Sequence, residues 1–258
     1  MFKRIVAVFL SVMLFAAGAG VLTSYNVKAA SSLRIIVNGQ ELQTGGASAY
    51  TNGTETMLPL REMALALKYK VTFSGATGTF LLERFQESIQ FRLSGQELVL
   101  DGKNKVPYTG GIELKQKKAY VPLSFFAAIG LVTSYNLATG QIEVYTPEVM
   151  AGAVAGLLAN GNYPELYERY FAKDADPASL PVLQQSWEGI NLPSASYFGV
   201  KSTTSTQQDG TITIVSVLSF TKAEAVLTLE LGASGKLTKL TLTPVQAASE
   251  VLASPSQP

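Results

Sequence analysis

The 258-residue sequence has no cysteine, no histidine, a single tryptophan and only 15% charged residues. Each shortage closes a chemistry. Without thiols there is no disulfide framework, no thiolate nucleophile and no sulfur ligand for zinc. Without imidazole the usual base that activates a serine is missing, and so are the ligands of a histidine-held metal. A serine–lysine pair is the remaining arrangement for nucleophilic catalysis, and it is expected not to form here. Lys and Arg (20) nearly balance Asp and Glu (19). That balance gives no basic surface for nucleic acid and no polybasic patch for an anionic membrane.

What is present begins with an export signal. Lys3 and Arg4 precede an apolar run from Ile5 to Leu22, and Val27-Lys28-Ala29 places small residues at the cleavage-determining positions. Residues 1–29 therefore read as a signal peptide, with an uncleaved anchor as the open alternative, since the run reaches the lower limit for a span. No cysteine is available for lipid attachment. Either way the protein is expected outside the cell or on its surface, with no membrane contact once the signal is removed. Removal of Lys3, Arg4 and Lys28 leaves 17 basic against 19 acidic residues.

An internal repeat organises residues 33–146. Val37-Asn38-Gly39-Gln40 answers Leu100-Asp101-Gly102-Lys103, and Leu58-Pro59-Leu60 answers Val121-Pro122-Leu123, both at a spacing of 63. Ala76-Thr77-Gly78 answers Ala138-Thr139-Gly140 at 62, so the second copy is one residue shorter. The Asn-Gly and Asp-Gly pairs predict tight hairpin turns. Each proline opens a short helix whose apolar stripe is Leu60, Met63, Ala64 and Leu67, or Leu123, Phe126, Ala127 and Gly130. A strand ending in an aromatic residue, the Ala-Thr-Gly turn and a closing strand complete each ββαββ-like unit. Neither unit can bury its own face, so the two are expected to pack as a pseudo-symmetric pair.

Those residues carry a resemblance. The Asn-Gly or Asp-Gly hairpin, the Leu/Val-Pro-Leu-x-x-Met/Phe-Ala segment, the aromatic Phe73 or Tyr135 and the Ala-Thr-Gly turn resemble the copper amine oxidase N-terminal-like domain, also called the stalk domain, over about residues 33–146. Copy one keeps the family's Pro-Leu-Arg as Pro59-Leu60-Arg61; copy two has Ser124 in place of the arginine. The family's name implies copper, but a chain without imidazole offers no such site, and Met57, Met63 and Met150 form no sulfur cluster. No cofactor and no metal site are expected.

Residues 147–246 read as a second domain. Thr146-Pro147-Glu148 starts a helix running to about Asn160. Asn162 and Glu165 form a capping box for another, to about Phe171. A third runs from near Pro181 to Ile190. Period-two alternation then predicts strands at 197–203, 211–220, 223–231 and 237–243. Three helices on a four-stranded antiparallel sheet give an α+β domain, which resembles the nuclear-transport-factor-two-like cone fold and, more narrowly, a domain of unknown function from secreted bacterial proteins. The carrying residues are Gly161-Asn162-Tyr163 and Trp187. Residues 247–258 read as a disordered tail.

Candidate chemistry in this domain is sparse. Glu165 and Glu168 share a helix face with Arg169 and Lys173 and read as a solvated surface; Asp174 and Asp176 read as loop caps. Gly152 and Gly156 suggest close packing of the first helix on the sheet. Tyr163, Tyr167, Tyr170 and Phe171 fall on one helical face, joined by Trp187 and Tyr197. This set is the candidate small-ligand site, with simple core packing as the competing reading. The sequence thus favours a non-catalytic exported protein. It would act as a scaffold or cell-envelope contact, with a cell-wall polymer or small ligand as partner and the C-terminal sheet as a homodimer surface. The rival is a hydrolase or isomerase using carboxylates in the C-terminal cavity; in the alternation, the facing of Glu224 and Glu230 is not fixed.

Overall fold

The computed structural model describes residues 33–245, apart from 86, 109, 176–178 and 191–195. The expected signal segment and tail lie outside the described residues. The chain is α+β, with short helices and antiparallel sheets predominating.

In the N-terminal part the strands are β1 (Arg34–Val37), β2 (Gln40–Glu41), β3 (Tyr50–Asn52), β4 (Glu55–Pro59), β5 (Lys70–Ser74), β6 (Thr79–Arg84) and β7 (Glu87–Arg92). They continue as β8 (Glu97–Leu100), β9 (Asn104–Pro107), β10 (Glu113–Lys115), β11 (Lys118–Pro122), β12 (Val132–Asn136) and β13 (Gln141–Tyr145). Asn38-Gly39 and Asp101-Gly102 do turn their chains with positive φ, at 51° and 81° and at 51° and 67°. Two strand pairs, rather than one, precede each helix. The second pair is short and polar (Tyr-Thr-Asn; Glu-Leu-Lys), so it carries little hydrophobic periodicity to read.

Each proline sits one position earlier than expected. Pro59 and Pro122 close strands β4 and β11 in extended conformation and act as caps for the helices Leu60–Ala66 and Leu123–Ala128. In the first helix the stripe is buried as its spacing predicts. In the second, Phe125 joins Phe126 in the core while Leu123 and Ala127 stay half-buried, and Gly130 lies past the helix end.

Strand pairing interleaves the two stretches. β1 lies parallel to β13, with Arg34 opposite Gln141 and Val37 opposite Val144. The sheet order is β12-β13-β1-β2. A second sheet, β10-β11-β4-β3, has Leu58 directly opposite Val121 at its centre. A third runs β5-β6-β7-β8-β9, all antiparallel neighbours. One hydrophobic cluster joins them, built from Ile35, Val37, Leu58, Met63, Phe80, Ile89, Phe91, Phe125, Phe126, Ile142 and Val144 among others. Phe91 sits between Phe80 and Phe125, at ring-centre distances of 5.3 and 4.9 Å.

The C-terminal part has helices Pro147–Ala159, Tyr163–Tyr170 and Ser179–Ile190, then β14 (Tyr197–Gln208), β15 (Thr211–Phe220), β16 (Glu224–Leu231) and β17 (Leu237–Val245) in consecutive antiparallel order. Both N-caps form: Thr146 Oγ1 accepts from the Val149 amide at 3.4 Å, and Asn162 Oδ1 from the Glu165 amide at 3.4 Å. The reciprocal half of the capping box does not, because the Asn162 amide donates to the Leu157 carbonyl and Glu165 accepts from the Asn162 side chain instead. β14 runs five residues beyond its expected end, because Thr204 to Gln208 pair fully with β15 despite having no apolar alternation. Pro244 is accommodated in β17, an edge strand, where its missing N–H costs no ladder bond. The first helix packs across β14, β15 and β16. Contrary to expectation, Gly152 and Gly156 do not mediate close packing: nothing lies within 4 Å of where a Cβ would stand on either.

Candidate functional site

The six aromatic residues singled out in the sequence do come together, on helices and strand of the C-terminal part, as members or close neighbours of its hydrophobic cluster. Tyr170, Phe171 and Trp187 are buried; Tyr163, Tyr167 and Tyr197 are half-buried. Trp187 meets Tyr197 edge-on at 5.5 Å and Phe220 at 5.5 Å, and Tyr167 stacks on Phe171 at 5.4 Å. The Tyr167 hydroxyl donates to the Ala175 carbonyl. Burial holds the hydroxyls of Tyr163 and Tyr197 protonated to higher pH than usual, and pushes Tyr170 up to about 12. Two hollows lie elsewhere, on the five-stranded sheet.

The described acidic side chains of this part point outward. On β15 and β16 one parity is buried (Ile212, Ile214, Ser216, Leu218, Phe220; Ala225, Leu227, Leu229, Leu231) and the other carries Glu224 and Glu230. Those two carboxylates pair with Lys201 at 2.6 Å and Lys239 at 2.9 Å, on the sheet face away from the helices. Glu165 and Glu168 are exposed, with Arg169 3.9 Å from Glu165. Asp174 is exposed and Asp176 lies outside the described residues. The one buried serine among the described residues, Ser216, shares a hydrogen bond of 2.9 Å with Thr203 on the neighbouring strand. A Ser-x-x-Lys spacing does occur, at Ser219-Phe220-Thr221-Lys222. It spans the end of β15 and an exposed turn rather than a helix, so the two side chains are not brought side by side one turn apart.

Between the two hydrophobic clusters lies a seam that sequence reasoning missed. The Asn38 side chain, in the first hairpin turn, accepts from the Thr146 amide at 2.9 Å. Arg169 donates to the Tyr145 hydroxyl at 3.3 Å, and Lys236 to the Arg169 carbonyl at 2.8 Å. Val132 and Tyr145, on β12 and β13, belong to the C-terminal cluster. Gly235 presses on the Thr133 carbonyl so closely that a Cβ there would stand 2.0 Å from its oxygen. Glu143 is buried at this seam, where Gln141 donates to it at 2.8 Å and Ser134 at 3.3 Å. In the sequence, only the direct passage from the repeat region ending at 146 to the helix starting at Thr146-Pro147 hinted at it.

The five-stranded sheet presents the other notable surface. Its outward face carries Thr72, Leu81, Gln90, Val99 and Lys105 in one register row, and Ser74, Thr79 and Arg92 in the next. Two hollows of about 440 and 320 Å³ lie on it and share Gln90 and Arg92.

A family model described as the copper amine oxidase N-terminal domain matches residues 36–144. No curated protein matches the chain. The match supports the stalk-like resemblance of the N-terminal part. Copper itself does not fit these residues. The chain supplies neither imidazole nor thiol, Met57, Met63 and Met150 are packed into apolar surroundings, and no group of three acidic side chains able to hold an ion occurs among the described residues.

Proposed function

We propose that this is an exported, non-catalytic scaffold protein. Its N-terminal part is a pseudo-symmetric pair of repeats that contacts the cell envelope, and its C-terminal part is a cone-like domain that binds a small ligand or pairs with a second copy. One observation carries the non-catalytic reading. Around Trp187 the interior is aromatic and aliphatic, while the carboxylates that a hydrolase would need there, Glu224 and Glu230, are turned outward into ion pairs. General acid–base work on a sugar or ester requires acidic groups facing a shared cleft. The matched family region, a non-catalytic domain of the oxidases, is consistent with this reading.

Support for the paired repeats comes from the central sheet, where the equivalent residues Leu58 and Val121 face each other. Support for self-association comes from the outer face of β14–β17, where Val215, Val217 and Val226 lie among threonines. The test has two arms. Purified protein lacking residues 1–29 is mixed with isolated cell wall, and its melting temperature is followed across a panel of glycans and peptides. Retention on the wall is expected, together with a rise for at least one class of ligand. Neither retention nor a thermal shift would sink the proposal.

A further inference from the structure

The two sheets flanking the N-terminal cluster have counterpart positions, at spacings of 62 and 63, but opposite fates. On β12-β13-β1 the outward residues toward the C-terminal part, Val132, Glu143, Tyr145 and Ile36, are at most 9% exposed, while Arg34 and Asn136 at the far end of the same face are exposed. Val132 and Tyr145 lie under the C-terminal cluster. Their counterparts on the five-stranded sheet are Lys70, Leu81, Glu83 and Val99, every one exposed or half-buried. Lys70 and Glu83 thus stand where the covered sheet has Val132 and Tyr145. An apolar protein surface docking there would strip water from charges it could not pair. The open face suits a hydrated, hydrogen-bonding occupant instead.

Its charges narrow the class. Lys105 is paired with Glu97 at 3.0 Å, and Lys70 lies opposite Glu83 in the strand register. Arg92 has no ion pair among the described residues, and it stands where the two hollows meet. Around it are Gln90, Thr72, Ser74 and Thr79, which donate and accept but carry no charge, and on the adjoining strand Glu97, whose carboxylate is taken up by Lys105. Five strands extend about 19 Å from first to last, a length suited to a chain rather than a single small molecule. No aromatic side chain projects into the rows of this face, so ring stacking is not the mode of contact.

We propose that this face binds a carboxylate-bearing glycan chain. Arg92 holds a carboxylate through two parallel N–H donors, and the amide and hydroxyl side chains take the sugar hydroxyls. Poly(glycerol phosphate) fits less well, because each of its units offers one free hydroxyl to the amide and hydroxyl side chains around Arg92, against two on a 1,4-linked uronate. The inference rests on the repeat and the envelope-contact reading above, and gives that contact a chemistry.

The experiment titrates the chain lacking residues 1–29 with oligogalacturonate, its methyl ester and poly(glycerol phosphate), by calorimetry. Oligogalacturonate should bind, and esterification should weaken binding by about tenfold or more, the loss expected for one charge-assisted pair. Arg92→Ala should weaken it as much, and Gln90→Ala by a smaller factor, with melting temperatures unchanged because both side chains are exposed. Equal binding of the ester, stronger binding of poly(glycerol phosphate), indifference to Arg92→Ala, or no binding of the uronate each overturns the inference. If wall retention survives any of these outcomes, the broader proposal stands and only this assignment falls.

Discussion

Gly152 and Gly156 sit in the interior of the Pro147–Ala159 helix with open space beside both. Alanine at either position should therefore gain about 1 kcal/mol from reduced backbone entropy in the unfolded chain. For a protein of this size that is a rise of roughly 2–4 °C in melting temperature per site, checked by thermal denaturation followed by circular dichroism. Tyrosines make a second prediction. The Tyr50 hydroxyl, partly desolvated and donating to Glu113, is pushed up to about 12, and burial raises Tyr170 to about 12. Tyr69 and Tyr108 are raised further, mainly by burial. The folded chain keeps these protons where an unfolded tyrosine, near 10.0, gives them up. Their contribution is therefore complete below pH 10 and is lost as pH rises from there toward 12. Urea midpoints should hold level up to about pH 9.5 and fall beyond it, and Tyr170→Phe should flatten the fall.

At the level of elements, β7 is the piece that makes the two halves of residues 33–146 unequal. It lies between β6 and β8, whereas β13, the counterpart of β6, pairs directly with β1. Ile89 and Phe91 drive it into place. Phe91→Ala should cost about 3–5 kcal/mol, read from chemical denaturation, and should loosen the five-stranded sheet first. If that loss were under about 1 kcal/mol, Phe91 would not be the anchor its contacts indicate. The Asn-Gly and Asp-Gly turns, the capped helices and the alternating strands β15 to β17 were all legible in the sequence, because each rests on local chemistry. The short strands β3 and β10 were not, since three polar residues carry no period. Nor was the exchange of hairpins between halves, which depends on long-range pairing. Among the candidate site residues, the helical spacing of Tyr163, Tyr167 and Tyr170 was enough to group them with Phe171. The outward turn of Glu224 and Glu230 emerged only once the register of β16 was fixed by its neighbours.

Across the whole molecule, the seam decides whether the two clusters behave as one. The backbone contact of Gly235 with Thr133, the Asn38 bond to Thr146 and the shared burial of Val132 and Tyr145 bind them without a long linker. A single calorimetric transition is expected for the intact protein. Gly235→Ala adds a methyl group against a carbonyl in a residue at φ 69°, so it should cost about 2 kcal/mol or more and split the transition in two. A native protein that already melts in two steps would show the seam to be weaker than its contacts imply.

The parallel alliance of β1 with β13 has a mechanical meaning. The polypeptide enters β1 at Arg34 and departs β13 at Tyr145, from opposite ends of the same pair. Tension applied between those points drags the strands lengthwise past one another, so their hydrogen bonds must yield together rather than unzip singly. A molecule held at its N-terminal side while gripping something beyond would carry load through the strongest direction a sheet can offer.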